Sequence, residues 1–178
     1  MMRRCVALVL LALSALVLQS AISSVLPSAY VPDLSLLLVV AAALYVEPIL
    51  GLTLAFVAGY GTDMLSGAPA GHHALLRMLA FSVTSAVAMQ FHLARPLALA
   101  FFVLVLSVAD AGGTAGLAAL FGGRFPLDLG VIRDLGIHAL VNAGFAPLVS
   151  SICGALITFV TERETRRSVR IEAKPERR

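Results

Sequence analysis

The sequence predicts an all-α, polytopic membrane bundle of about six transmembrane helices, on three observations. Hydrophobic residues fill 60% of the 178 positions and charged ones only 13%, about half the charged share of a water-soluble domain. Mean hydropathy is +0.96. The charges gather at the chain's ends and in short breaks between apolar runs, so the breaks mark where the chain meets water.

Hydrocarbon about 30 Å thick takes about 20 mostly apolar residues per helix, because backbone groups in lipid have to be satisfied within the segment. Six segments reach or approach that length: 5–26, 34–46, 49–65, 74–91, 97–121 and 137–160. The first opens with Met-Met-Arg-Arg and imitates a signal peptide, with Ala21-Ile22-Ser23 as a weak cleavage site. Its apolar run, about 22 residues, exceeds the roughly 7 to 15 of a cleaved signal, so it reads as a membrane helix. The second segment is short. The third ends at Ser66-Gly67-Ala68-Pro69, and Pro147 is expected to kink the sixth. Residues 1–160 thus form one helix bundle, and residues 161–178 a basic, disordered cytoplasmic tail.

Loops rich in Lys and Arg stay cytoplasmic. With the N-terminus inside, the inner face carries Arg3, Arg4, Arg95, Arg163, Arg166, Arg167, Arg170, Lys174, Arg177 and Arg178. The outer face carries Arg124 and Arg133, and Arg77 lies within a helix. Both termini are therefore placed in the cytoplasm, which requires an even number of crossings. Cys5 and Cys153 fall toward the same side, where thiols stay reduced, so no disulfide is expected. The formal charge of +3 and the pI near 9.3 come largely from the last eighteen residues. That charge suits an anionic lipid surface, worth about 1 kcal/mol per basic residue, and gives no ground for nucleic-acid binding. The tail either lies on the bilayer or docks a cytoplasmic partner.

Helices associate in lipid through close packing, which small residues permit. In the third segment Gly51, Ala55, Gly59, Asp63 and Gly67 recur every four residues as one narrow face, and Gly71 extends the spacing into the loop. Its partner is either an internal helix or another protein.

Ionisable residues within a bilayer cost about 2.5 to 3.5 kcal/mol on insertion scales and face the bundle interior. Asp63, Arg77 and Asp110 are such residues. At about 1.5 Å per residue Asp63 and Arg77 lie at similar depth, which predicts a buried Asp63–Arg77 pair joined by Asp110, His138 or Asn142. One reading makes this cluster a structural clasp. The other makes Asp33, Asp63, His72, His73, Arg77, Asp110, His138 and Asn142 the lining of an outer pocket for a ligand or proton.

Adjacent histidines point in different directions, and His72-His73 has no third or fourth ligand at a known spacing, so no metal site is expected. The sequence shows no nucleophile elbow, phosphate loop or dinucleotide fingerprint. It reads as non-enzymatic and free of cofactors. The outer connection 122–136, with Arg124, Phe125, Pro126, Leu127, Asp128, Arg133 and Asp134, is read as a solvated turn or a partner contact.

Pro32-Asp33 before an apolar helix, then Gly59, Asp63 and Gly67 spaced by four and Gly71-His72-His73-Ala74 closing the loop, resemble the MreD family of bacterial rod shape-determining membrane proteins. The resemblance is strongest over residues 32–91 and continues through the fifth segment. It implies a non-enzymatic inner-membrane subunit of the cell-elongation machinery, associated with MreC and, through it, with MreB, RodA and the elongation transpeptidase. The family's positions map onto Pro32, Asp33, Gly59, Asp63, Gly67 and Gly71. Arg77 departs from the apolar or aromatic residue expected there and reads as a compensating partner for Asp63. Such proteins are also similar to the substrate-binding subunits of energy-coupling-factor vitamin transporters, which implies an alternative role in carrying a vitamin or metal ion. Those subunits show small residues four apart on the first helix, for which the nearest match here is Ser20 and Ser24.

Overall fold

The structure is a computed structural model that describes residues 2–67, 69–93, 95–120 and 128–172. Among them the chain forms α1 (Met2–Ser23), a 3-10 turn (Ser28–Tyr30), α2 (Leu34–Tyr45), α3 (Pro48–Ser66), α4 (His72–Gln90), α5 (Pro96–Leu120) and α6 (Leu129–Glu172), with no strand.

Helix α2 is the axis. Its 12 residues are apolar on every side apart from Ser35, and the run Ser35–Ala42 is buried throughout, as expected of a helix without a polar face. It touches α1, α3, α4 and α6, while α3 packs closely on α4 and α5 on α6. The core joins Leu36, Val39 and Val40 to Ala55 and Ala58 of α3, Phe81 of α4, Val103 of α5 and Ala146 of α6. Outside it, Leu10, Val17, Phe101, Val105, Leu140 and Leu148 are exposed. An apolar exterior around an apolar core is what a bilayer solvates.

Among the described residues five stretches are long and apolar enough to cross a membrane: Val6–Ser23, Ser28–Tyr45, Pro48–Ser66, Pro96–Leu120 and Leu129–Phe159. Helix α2 alone would rise only about 18 Å, and the turn before it completes the length. Helix α4 is also 19 residues long, but His72, His73, Arg77, Ser82, Thr84 and Gln90 dilute its apolar character. Its Arg77 and Thr84 point inward and are buried.

Helix α6 differs from expectation at both ends. It begins at Leu129 rather than near residue 137, because the Asp128 carboxylate accepts a 2.8 Å hydrogen bond from the Val131 N–H and starts the helix. Arg133 and Asp134, read as part of a loop, stand exposed on its first turns. At the other end it runs to Glu172, into the segment expected to be a disordered tail. Pro147 sits inside α6 without ending it. Of the outer connection, Arg124, Phe125, Pro126 and Leu127 lie outside the described residues, as do Phe121 and tail residues 173–178.

Candidate functional site

Helix α2 starts inside the bundle, so its first N–H groups, which have no intrahelical partner, need acceptors from elsewhere. The Asp33 N–H donates to Asn142 Oδ1 at 2.7 Å, Leu34 N–H to the Pro32 carbonyl at 3.0 Å and Ser35 N–H to Gln19 Oε1 at 3.2 Å. The Leu36 N–H donates to Asp33 Oδ1 at 2.9 Å, which makes Asp33 the N-cap. Asn142 in turn donates from Nδ2 to Ser107 Oγ at 3.1 Å.

The capping carboxylate also anchors a buried cation. Arg77, 1% exposed, donates from Nη2 to Asp33 Oδ2 at 2.5 Å, from Nη1 to Asp110 Oδ1 at 2.6 Å and from Nε to Ser35 Oγ at 2.8 Å. Thr62 Oγ1 reaches Ser35 Oγ at 3.4 Å. Gln19 of α1, Asp33 and Ser35 of α2, Thr62 of α3, Arg77 of α4, Ser107 and Asp110 of α5 and Asn142 of α6 thus form one polar network that ties all six helices together. The buried faces explain the convergence. Leu8, Ala12 and Leu16 set the inward face of α1 and Gln19 continues it, as Asp110 continues Leu99, Val103, Leu106 and Ser107 on α5.

The expected Asp63–Arg77 pair does not form. Asp63, 2% exposed, instead accepts from the N–H groups of Gly71 (2.9 Å), His73 (2.8 Å) and Ala74 (3.4 Å). The free N–H groups and positive dipole of the α4 N-terminus hold this carboxylate at closer range than Arg77 could. Arg77 lies a turn further along α4 and turns toward α2 and α5. It therefore makes its hydrogen bonds to Asp33, Asp110 and Ser35 and acts on Asp63 only through space.

The small-residue row divides by role. A Cβ on Gly59 would fall 2.5 Å from Ala74 Cα and 2.6 Å from the His73 carbonyl oxygen, so α3 and α4 touch backbone to backbone here. A Cβ on Gly51 would strike the Phe81 ring, and Ala55 is fully buried. The partner of this face is therefore internal. Gly67 and Gly71 leave the face for the turn, with φ of 68° and 92°, where side chains other than hydrogen are disfavoured.

Above the network a cavity of about 410 Å³ opens where α1, α3 and α5 end and α2, α4 and α6 begin. Asp33, Arg77, Asp110, Thr62, His73 and His138 are among its lining residues. His138 thus faces the same space as the ion pairs. His72 is buried with both ring nitrogens unpaired, and its ring centroid lies 5.3 Å from that of His73. Among the described residues no group of three His, Cys, Asp or Glu side chains could hold a metal ion. A larger cleft of about 690 Å³ lies at the other end, lined by Leu8, Leu11, Tyr45, Leu156 and Ile157 among others, a lining suited to acyl chains.

Sequence reasoning placed Asp33, Arg77, Asp110, His138 and Asn142 in one region but missed Gln19, Ser35, Thr62 and Ser107. The missed signal was position. Gln19 follows the buried α1 positions at helical spacing, and Ser107 lies three residues before Asp110, on its face.

No match was found among curated proteins or among solved structures. The family model for the rod shape-determining protein MreD matches residues 2–122, which include every described residue of α1 to α5 and leave α6, with Asn142, outside. A match over well over half of the 178 residues, on an all-helical chain with this many membrane-length helices, places the protein in the MreD family of rod shape-determining, multi-pass membrane proteins.

Proposed function

We propose that the chain is a non-enzymatic scaffold subunit of the machinery for lateral peptidoglycan synthesis in the bacterial inner membrane. In this reading both termini are cytoplasmic, as the Lys and Arg distribution favours. The subunit holds an MreC-like partner and, through it, MreB, RodA and the elongation transpeptidase. The observation that supports a scaffold best is the polar network around Arg77. It joins six helices through side chains whose separation would leave charges and N–H groups unpaired in a low-dielectric interior, which favours a single arrangement of the outer faces that partners meet.

The test is genetic and biochemical together. Deleting the gene from a rod-shaped host is expected to round the cells, and a plasmid copy to restore them. Affinity purification in mild detergent is expected to recover elongation-machinery subunits. A null strain of normal width and length, or recovery of a transporter's coupling partners instead, would refute the scaffold.

A further inference from the structure

The Asp33–Arg77–Asp110 group is one positive charge short. Counted at formal charges, two carboxylates flank one guanidinium, and each of the three guanidinium nitrogens already donates within the network. The two carboxylates are 13% and 15% exposed, and the space they meet is the 410 Å³ cavity. Asp110 gives Oδ1 to Arg77 and has its second oxygen free of any described partner. Hydroxyls line the same space: Ser20, Ser23, Ser28, Thr62, Ser107 and Thr114.

We propose that this cavity is a binding site for a small organic cation carrying a primary ammonium group, seated against Asp110 with its polar remainder along the hydroxyls. The volume falls within the roughly 300–1,000 Å³ of small-molecule sites, far more than a bare ion fills. A metal such as calcium takes about 6 to 8 oxygen ligands, whereas the lining offers two carboxylates that already serve Arg77, the imidazoles of His73 and His138 and neutral hydroxyls, and among the described residues no group of three His, Cys, Asp or Glu side chains could hold a metal ion. An ammonium group needs only acceptors within reach of one another. It supplies the missing charge in a site where charge-assisted hydrogen bonds are strong. The end of the bundle that carries the cavity admits two sources, an amine dissolved in the surrounding water or the ethanolamine headgroup of a lipid.

The experiment uses the full chain purified in an uncharged maltoside detergent. Calorimetric titration with free ethanolamine is set beside its neutral counterpart, ethylene glycol. Native mass spectrometry of the chain from nanodiscs of phosphatidylethanolamine is set beside the same measurement from phosphatidylglycerol. Saturable 1:1 binding of ethanolamine, at least about tenfold tighter than the diol, supports the proposal and assigns a soluble ligand. Selective retention of phosphatidylethanolamine without binding of the free amine supports it and assigns a lipid. Asp110→Asn keeps an acceptor for Arg77 but removes the excess charge, and is expected to weaken either interaction about tenfold. Thr114→Ala, which leaves the charged group intact, is expected to retain the preference for amine over diol. Binding of neither amine, equal binding of amine and diol, or an unchanged affinity in a folded Asp110→Asn protein overturns the proposal. Capture of a lysine-rich peptide with no response to either amine overturns it too, assigning the cavity to a protein partner. Should Asp110→Asn fail to fold, the wild-type preference between amine and diol decides alone. None of these measurements depends on elongation partners, so their failure would leave the scaffold reading standing.

Discussion

Replacing Arg77 by Met removes a charge that is 1% exposed and leaves a side chain of similar reach. At 2.6 Å and an effective dielectric of about 20, the Arg77–Asp110 pair has roughly 6 kcal/mol of gross Coulomb attraction, and the Asp33 pair a similar amount. Desolvating the guanidinium offsets most of that. The observable cost is therefore the cost of stranding two carboxylates, about 3–5 kcal/mol for a broken buried pair. Because Asp33 and Asp110 retain 13% and 15% exposure to the cavity, water can reach them, and the lower end, about 3 kcal/mol, is expected.

A double-mutant cycle separates this from general damage. Asp110→Asn alone should cost about 1–2 kcal/mol. Combined with Arg77→Met it should add almost nothing, a coupling of about 1–2 kcal/mol. The same cycle with Asp63→Asn should give coupling below about 0.5 kcal/mol, since Asp63 is held by the α4 N-terminus. The chain has no tryptophan, so circular dichroism in maltoside micelles is the suitable readout of unfolding. Strong Asp63–Arg77 coupling together with an additive Asp110 cycle would refute the assignment of Arg77's partners.

Three further outcomes follow from the same geometry and can be read in the same assay. Asp63→Ala leaves three α4 N–H groups without their acceptor and should lower stability by about 2–3 kcal/mol, against about 1–2 for Asp63→Asn, which keeps one acceptor oxygen; equal losses would show that hydrogen bonding at this cap is immaterial. Gly59→Ala drives a methyl into the α4 backbone and should cost about 1–3 kcal/mol, whereas Gly112→Ala, with nothing within 4 Å, should be neutral or slightly stabilising. Gly67→Ala meets open space but holds φ at 68°, so a loss of about 1–2 kcal/mol would come from backbone conformation alone.

Much of the architecture was legible because lipid leaves few options. Apolar runs of membrane length between charged breaks have to be helices, and α1 to α5 appear where those runs lie. Gly59 was legible as a packing residue because a glycine costs a helix stability unless a neighbour comes close. What sequence distance could not give was azimuth. Counting residues set Asp63 near Arg77, but only the packing of α3 on α4 reveals that Asp63 faces the end of its neighbour. The start of α6 was obscured by Gly130, Arg133 and Asp134, which look like loop residues and are in fact the exposed first turns of a helix longer than the bilayer.

The short length of α2 explains why the polar network exists and why it lies where it does. A helix of 12 residues on the axis of the bundle has to start below the surface, and its first N–H groups then need acceptors that lipid cannot supply. Gln19, Asp33 and Asn142 meet that need from three different helices. Once Asp33 is fixed as the cap, its second oxygen carries charge into the interior, and Arg77 answers it while drawing in Asp110 from α5. Apolar contacts could not impose the same order, because lipid tails compete equally for an aliphatic face. A misplaced helix would leave some member of this network without its partner, so the specificity of the bundle is concentrated in side chains that composition alone marks as misfits.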